Sequence, residues 1–204
     1  MSISTYAELQ TAVSNWLDNS TLSLRIPEFI SIAEANIGRD LRIRQMEKRA
    51  TASISTEYVD MPTDLIELVN IQLNTTSQSK LTFYTPGQMD KFKPSQTTGQ
   101  PKYYTIIGTE FQFKPVPDAT YTAELAYIAR FAAFSGDSDT NWLLTNHPDV
   151  YLFGALVAAG PYVSDEKLTT WAAIYQNAIE SLNDMDKNAS HSGGILQRTG
   201  STTE

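Results

Sequence analysis

The hydrophobic period of this chain changes twice. It runs near about 3.6 residues up to position 48, near about 2 from 49 to 134, and returns to the helical value from 135 to 186. A helix buries a stripe and a strand buries a face, so each change of period starts a new layer. The pattern predicts an α+β protein. Residues 1–48 read as an N-terminal helical hairpin and 49–134 as an inserted β-rich lobe. Residues 135–186 read as a second helical hairpin that packs on the first into a four-helix module, and 187–204 as a flexible tail. The inserted lobe is expected to be one small antiparallel sheet with a short helix.

The signals within each third are local. Thr5 and Glu8 form a capping box, and Leu9, Val13, Trp16 and Leu17 give the first helix one apolar face. Ser20 to Ala50 reads as one long helix, with Pro27 in its first turn and Phe29, Ile30, Ala33, Ile37 and Leu41 on its buried side. About 20 such residues would make a rod roughly 30 Å long. Its far end is basic, with Arg39, Arg42, Arg44, Lys48 and Arg49 placed to complement a helix C-terminus. Gly38 lies inside it, where it either allows a close helix crossing or is simply tolerated at a small cost. In the middle third, Leu65–Leu73 alternates, setting Val69, Ile71 and Leu73 against Leu68, Asn70 and Gln72. Thr85 and Pro86 offer the cap and first turn of a short helix over Met89 and Phe92. Tyr103–Ile107, a turn at Gly108, and Phe111–Lys114 have hairpin spacing, and Tyr121–Phe131 is the longest strand candidate. Pro148 and Asp149 open a third helix that Gly160 and Pro161 end. Ser164, Asp165 and Glu166 open a fourth, which buries Leu168, Trp171, Ala172, Tyr175, Ile179 and Leu182.

Composition narrows the chemistry. There are no cysteines among the 204 residues, which excludes disulfides, thiolate metal sites and thiol catalysis. The net charge of −8 argues against a broad nucleic-acid-binding surface, which needs clustered Lys and Arg. It would instead keep DNA from adhering to a channel wall. The N-terminal stretch has neither a basic segment nor an apolar run, so no secretory signal is expected, and no stretch approaches a membrane span.

No constellation of residues points to catalysis. Of the two histidines, His147 precedes a proline at a helix start and His191 lies in the tail. Pairing His147 with Asp149 or Asp165 as a general base is the enzymatic reading; a helix-entry residue facing solvent is the structural one. Asp60, Asp64 and Glu67 match no calcium loop and read as turn and strand-surface residues. There is no phosphate-binding glycine loop and no nucleophile elbow. No catalytic, cofactor or metal site is therefore expected. The reading is a non-enzymatic assembly module, whose tail carries one apolar pair, Ile195 and Leu196, able to order on a partner.

Four segments carry a family resemblance. Arg25–Glu47 (RIPEFISIAEANIGRDLRIRQME), Met61–Leu68 (MPTDLIEL), Pro101–Asp118 (PKYYTIIGTEFQFKPVPD) and Thr140–Lys167 together resemble, in order, tailed-phage head-to-tail adaptor proteins, similar to the podovirus tail tubular protein A class. The resemblance implies a virion protein, assembled in the host bacterial cytoplasm, that forms a homo-oligomeric and typically dodecameric ring under the portal. The portal protein and a downstream tail or nozzle protein would be its partners, and genomic DNA would pass through the lumen without specific binding. It also implies that the tail docks on the portal through Ile195, Leu196, Gln197 and Arg198. Subunit contacts would involve Asn141, Trp142, Leu143 and Leu144, with Arg39, Arg42 and Arg44. A stopper, tail-completion or fibre-attachment component, and a small hydrolase using His147, are the alternatives.

Overall fold

The computed structural model describes residues 3–75, 79–91, 97–163 and 167–191. The chain divides into a helical unit, residues 1–43 and 133–204, and a β unit, residues 44–132. The class is α+β.

The helical unit holds α1 (Tyr6–Leu17), α2 (Ile26–Asp40), α4 (Trp142–Asn146), α5 (Pro148–Ala159) and α6 (Leu168–His191); the short α3 (Pro86–Lys91) belongs to the β unit. α1 starts on its capping box, where the Thr5 N–H donates to the Glu8 carboxylate at 3.1 Å and the Thr5 hydroxyl accepts from the Glu8 N–H at 3.4 Å. Asp18 ends it in the left-handed region at φ 46°. α5 is apolar on almost every side and packs on α1, α2, α4 and α6, which is why its sequence shows no polar face. The core around it is formed by Leu9, Val13, Phe29, Ile30, Ala33, Leu143, Leu144, Tyr151, Ala155, Leu156, Trp171 and Tyr175, among others.

The expected rod from Ser20 to Ala50 is not one helix. Ser20–Arg25 is a 3-10 segment, α2 ends at Asp40, Arg44–Met46 is a 3-10 turn, and Glu47–Ile54 is strand β1. The period itself changes at the break: Leu41 and Ile43, two apart, are both buried. Arg44 to Arg49 favours a helix by propensity, but pairing with a neighbouring strand overrides it. The basic run is therefore split: Arg39 and Arg42 stay at the C-terminal end of α2, Arg44 lies in the 3-10 turn, and Lys48 and Arg49 lie in β1.

The β unit contains two sheets rather than the single one expected. β1 (Glu47–Ile54), β8 (Tyr121–Ala129), β3 (Leu65–Leu73) and β4 (Ser79–Lys80) form the first, in that spatial order and antiparallel throughout. β2 (Tyr58–Asp60), β7 (Glu110–Lys114), β6 (Tyr103–Ile107) and β5 (Thr82–Phe83) form the second, in which β5 and β6 run parallel. Gly108, at φ 60°, supplies the left-handed residue of the β6–β7 turn. One core serves both sheets: Ile54, Ile71, Leu73, Leu125 and Tyr127 from the first, Phe111 and Phe113 from the second.

β3 departs from simple alternation. Leu68 pairs with Tyr127 and Asn70 with Ala126, so Val69 is an extra residue opposite no partner. That bulge puts Leu68, Ile71 and Leu73 on the core side and leaves Val69 57% exposed, reversing its expected side. β8 buries Ala123, Leu125, Tyr127 and Ala129 as its alternation requires, but stops two residues before Phe131. α6 runs through Lys187 to His191, so the expected tail begins inside a helix. Phe92, and the Ser164, Asp165 and Glu166 start of the fourth helix, lie outside the described residues.

Candidate interaction surfaces

The segment Asn141–Leu144 is organised by one side chain. Asn141 caps α4 by accepting from the Leu144 N–H at 2.9 Å, and its amide donates to the buried Tyr151 hydroxyl at 2.8 Å. Leu143 and Leu144 are fully buried in the helical unit. Of the four, only Trp142 offers apolar surface, at 37% exposure, with its ring 5.3 Å from that of His147. His147 makes no hydrogen bond to a carboxylate among the described residues, and Asp165 lies outside them.

The basic residues do not form a patch of free charge. Arg39 donates to the Asn36 side chain. Arg42 turns back on α2 and donates to the carbonyls of Gly38 (2.9 Å) and Leu41 (2.6 Å), which α2 leaves unpaired at its end. Arg44 belongs to the β unit. Lys48 pairs with Asp64 at 2.7 Å and Arg49 with Glu124 at 2.7 Å. Asp64 also accepts from the Tyr127 hydroxyl at 3.0 Å. Partial burial opposes its ionisation, but the bonds from Lys48 and Tyr127 outweigh that and hold its carboxyl below the ordinary range. Asp64 is thus committed to a strand-edge cluster, and among the described residues no group of three or more acidic or histidine side chains is placed to hold a metal ion.

Two polar clamps in the helical unit had no distinct sequence signal. Asn183 of α6 accepts from the Arg42 N–H at 2.9 Å and donates to the Asp40 carbonyl at 3.1 Å, fixing the chain as it leaves α2. Glu34 accepts from the Phe134 N–H at 2.9 Å, where the chain re-enters the unit. Burial pushes the Glu34 carboxyl up, against the opposing pull of that N–H. The same re-entry is held by Tyr6, whose N–H donates to the Asp139 carbonyl at 2.9 Å and whose ring stacks 5.3 Å from Phe134. An isolated Asn or Glu in a helix is unremarkable on the page; only a known tertiary neighbour would single these out.

The outward face of the first sheet is concave. Glu47, Lys48, Arg49, Val69, Asn70, Gln72 and Glu124 line a hollow of about 320 Å³ with Ala126 and Tyr127. The Asn70 side-chain amide oxygen, Oδ1, is buried without a hydrogen bond.

Charge is divided unevenly. Residues 1–43 and 133–204 carry 14 acidic and six basic side chains, whereas residues 44–132 carry nine of each. All of the net charge of −8 therefore rests on the helical unit. Ile195, Leu196, Gln197, Arg198 and the side chain of His191 lie outside the described residues. No helix among the described residues is long and apolar enough to cross a membrane.

A family model described as SU10 adaptor protein matches residues 4–198. A search of curated proteins finds no match to the chain.

Proposed function

The chain belongs to the SU10 adaptor protein family, a bacteriophage structural class, and from that premise we propose that it is the ring that joins the portal to the tail. The match over residues 4–198 carries the reading, because it spans both units rather than one. Copies would meet through unlike surfaces, a heterologous contact that closes into a ring when its rotation closes. A dodecamer is the stoichiometry that the adaptor resemblance suggests. The helical unit would pack in the ring and against the portal, and the β unit would meet the downstream tail or nozzle protein. Residues 192–204, with Ile195, Leu196, Gln197 and Arg198, would dock on the portal. DNA would pass through the lumen without specific contacts, an arrangement that an acidic subunit favours. The protein would enter the virion at the head–tail interface after assembly in the host cytoplasm.

Sedimentation of the full chain with the portal ring from the same genome tests this. Co-migration of the two in one species faster than the portal alone is the expected result. A folded chain that sediments apart from an intact portal would contradict it, and would favour a stopper, tail-completion or fibre-attachment role.

A further inference from the structure

Among the described residues, β1 is the one long and regular margin of the two sheets. It bonds to β8 on one side and has no strand on the other. Its eight residues pair with β8 without a register shift and include neither Pro nor Gly. The other margins are poor templates. β2 has three residues, β4 and β5 have two each, and β3, which β4 covers only at one end, carries two register shifts. Sheets blunt a free edge with short strands, bulges, Pro or charge. β1 has only charge, and only at one end. Lys48 and Arg49 are held within the chain by Asp64 and Glu124, each at 2.7 Å, and Ala50 to Ile54 bear no charge.

An edge specifies its occupant more closely than an apolar face does. Its row of unpaired backbone N–H and C=O groups fits an extended strand and no other element. We propose that in the free chain β1 is covered by β1 of a second copy, antiparallel, about a two-fold axis at Thr51. The unlike edges of a second copy do not fit this place, because each is short or shifted. Pairing centred on Thr51 sets Ala50 opposite Ala52, Arg49 opposite Ser53, Lys48 opposite Ile54 and Glu47 opposite Ser55. The charges of β1 lie together at one end, so antiparallel pairing sets every one of them against an uncharged residue. Thr51 meets Thr51, a favourable cross-strand pair. Residues set opposite one another differ by an even number, so core-facing side chains stay core-facing in both copies. Ala50 and Ala52 are half-buried against the core of the β unit, and their meeting extends that apolar face across the junction. A two-fold contact closes at two copies and builds no ring. It therefore belongs to the chain before assembly, where it covers a template for aggregation. A failed portal adduct and a failed β1 pairing are separate results.

The chain has no cysteine, so one introduced thiol reports this contact alone. The test uses Thr51→Cys and Ser53→Cys in the full chain. Both positions are exposed, and the reduced variants should keep the thermal transition of the parent. Directly opposite residues have Cα atoms about 4.5–5.5 Å apart, within disulfide reach. Ser53 and its counterpart would be offset by about four residues, roughly 13 Å, which is beyond it. The parent should sediment as a monomer–dimer equilibrium whose dimer fraction rises with concentration. Under mild oxidation Thr51→Cys should form a disulfide-linked dimer roughly tenfold faster than Ser53→Cys. Equal rates at the two positions would overturn the proposal, as would a dimer in which Thr51→Cys stays unlinked. A chain monomeric at every concentration, with neither variant linked, would also overturn it and leave the edge to an extended segment of another protein.

Discussion

Two helical glycines have opposite surroundings. Gly38 of α2 has nothing within 4 Å of where a Cβ would stand, whereas at Gly154 of α5 that atom would lie 3.2 Å from both the Ala33 Cβ and the Tyr175 ring. Of the two readings of Gly38, simple tolerance is the one its surroundings support, and the close crossing lies at Gly154. Gly38→Ala should stabilise the protein by about 0.5–1 kcal/mol, the usual gain in a helix interior. Gly154→Ala should destabilise it by about 1–3 kcal/mol, because a backbone-borne neighbour and a buried ring must both give way. Urea denaturation of the two variants measures this, and equal effects would refute the assignment. Tyr175 is tightly held at that crossing, and burial together with the nearby Asp40 carboxylate pushes its hydroxyl up to about 12. Glu34 gives a pH signature. Its carboxyl is pushed up by burial, so between the ordinary carboxylate value, about 4.3, and the raised one the folded state binds more protons than the unfolded state. Its contribution is fully present below that window and is lost as pH rises through it. Glu34→Gln keeps an oxygen for the Phe134 N–H and removes the charge. The variant should melt higher than the parent at neutral pH and match it at low pH; a lower melting temperature at neutral pH would mean that the charged hydrogen bond outweighs the burial cost.

At the scale of elements, what was legible followed from repetition. β8 buries Ala123, Leu125, Tyr127 and Ala129, which alternate in its sequence, and α6 buries Trp171, Tyr175, Ile179 and Leu182 of the six residues its spacing selects, with Leu168 and Ala172 half-buried. The errors came where one residue's surroundings decided the outcome. β3 has two register shifts against β8, at Ile66 and at Val69; the second reverses the side of Val69, and alternation cannot announce a bulge. At Leu41 a run with strong helix propensity becomes a turn and a strand because β8 is there to pair with it. Asn141 illustrates the same limit at the candidate site. Its side chain is consumed inside the unit, by the α4 cap and the Tyr151 hydroxyl. Asn141→Ala should therefore cost about 1–3 kcal/mol of folding stability, from a lost cap and a buried hydroxyl left unpaired. Calorimetry of the free protein checks it; an unchanged transition, with only assembly impaired, would return Asn141 to a subunit contact.

For the whole molecule, the α+β class and the adaptor resemblance were legible because many weak local signals agreed in order along the chain. The division into two sheets was not, since which strands pair is set by contacts distant in sequence. The charge asymmetry was present in the residue order but had no meaning until the units were defined. Deleting residues 192–204 should leave the thermal transition in place, because α6 and its buried stripe are complete by His191, while weakening attachment to the portal. Loss of the transition would show instead that the segment is part of the core. The central claim is best tested by native mass spectrometry of the full chain mixed with the portal ring from the same genome. The account predicts a discrete adduct of many chains per portal, with a single stoichiometry. An intact portal and a folded chain that never appear in one ion would contradict it.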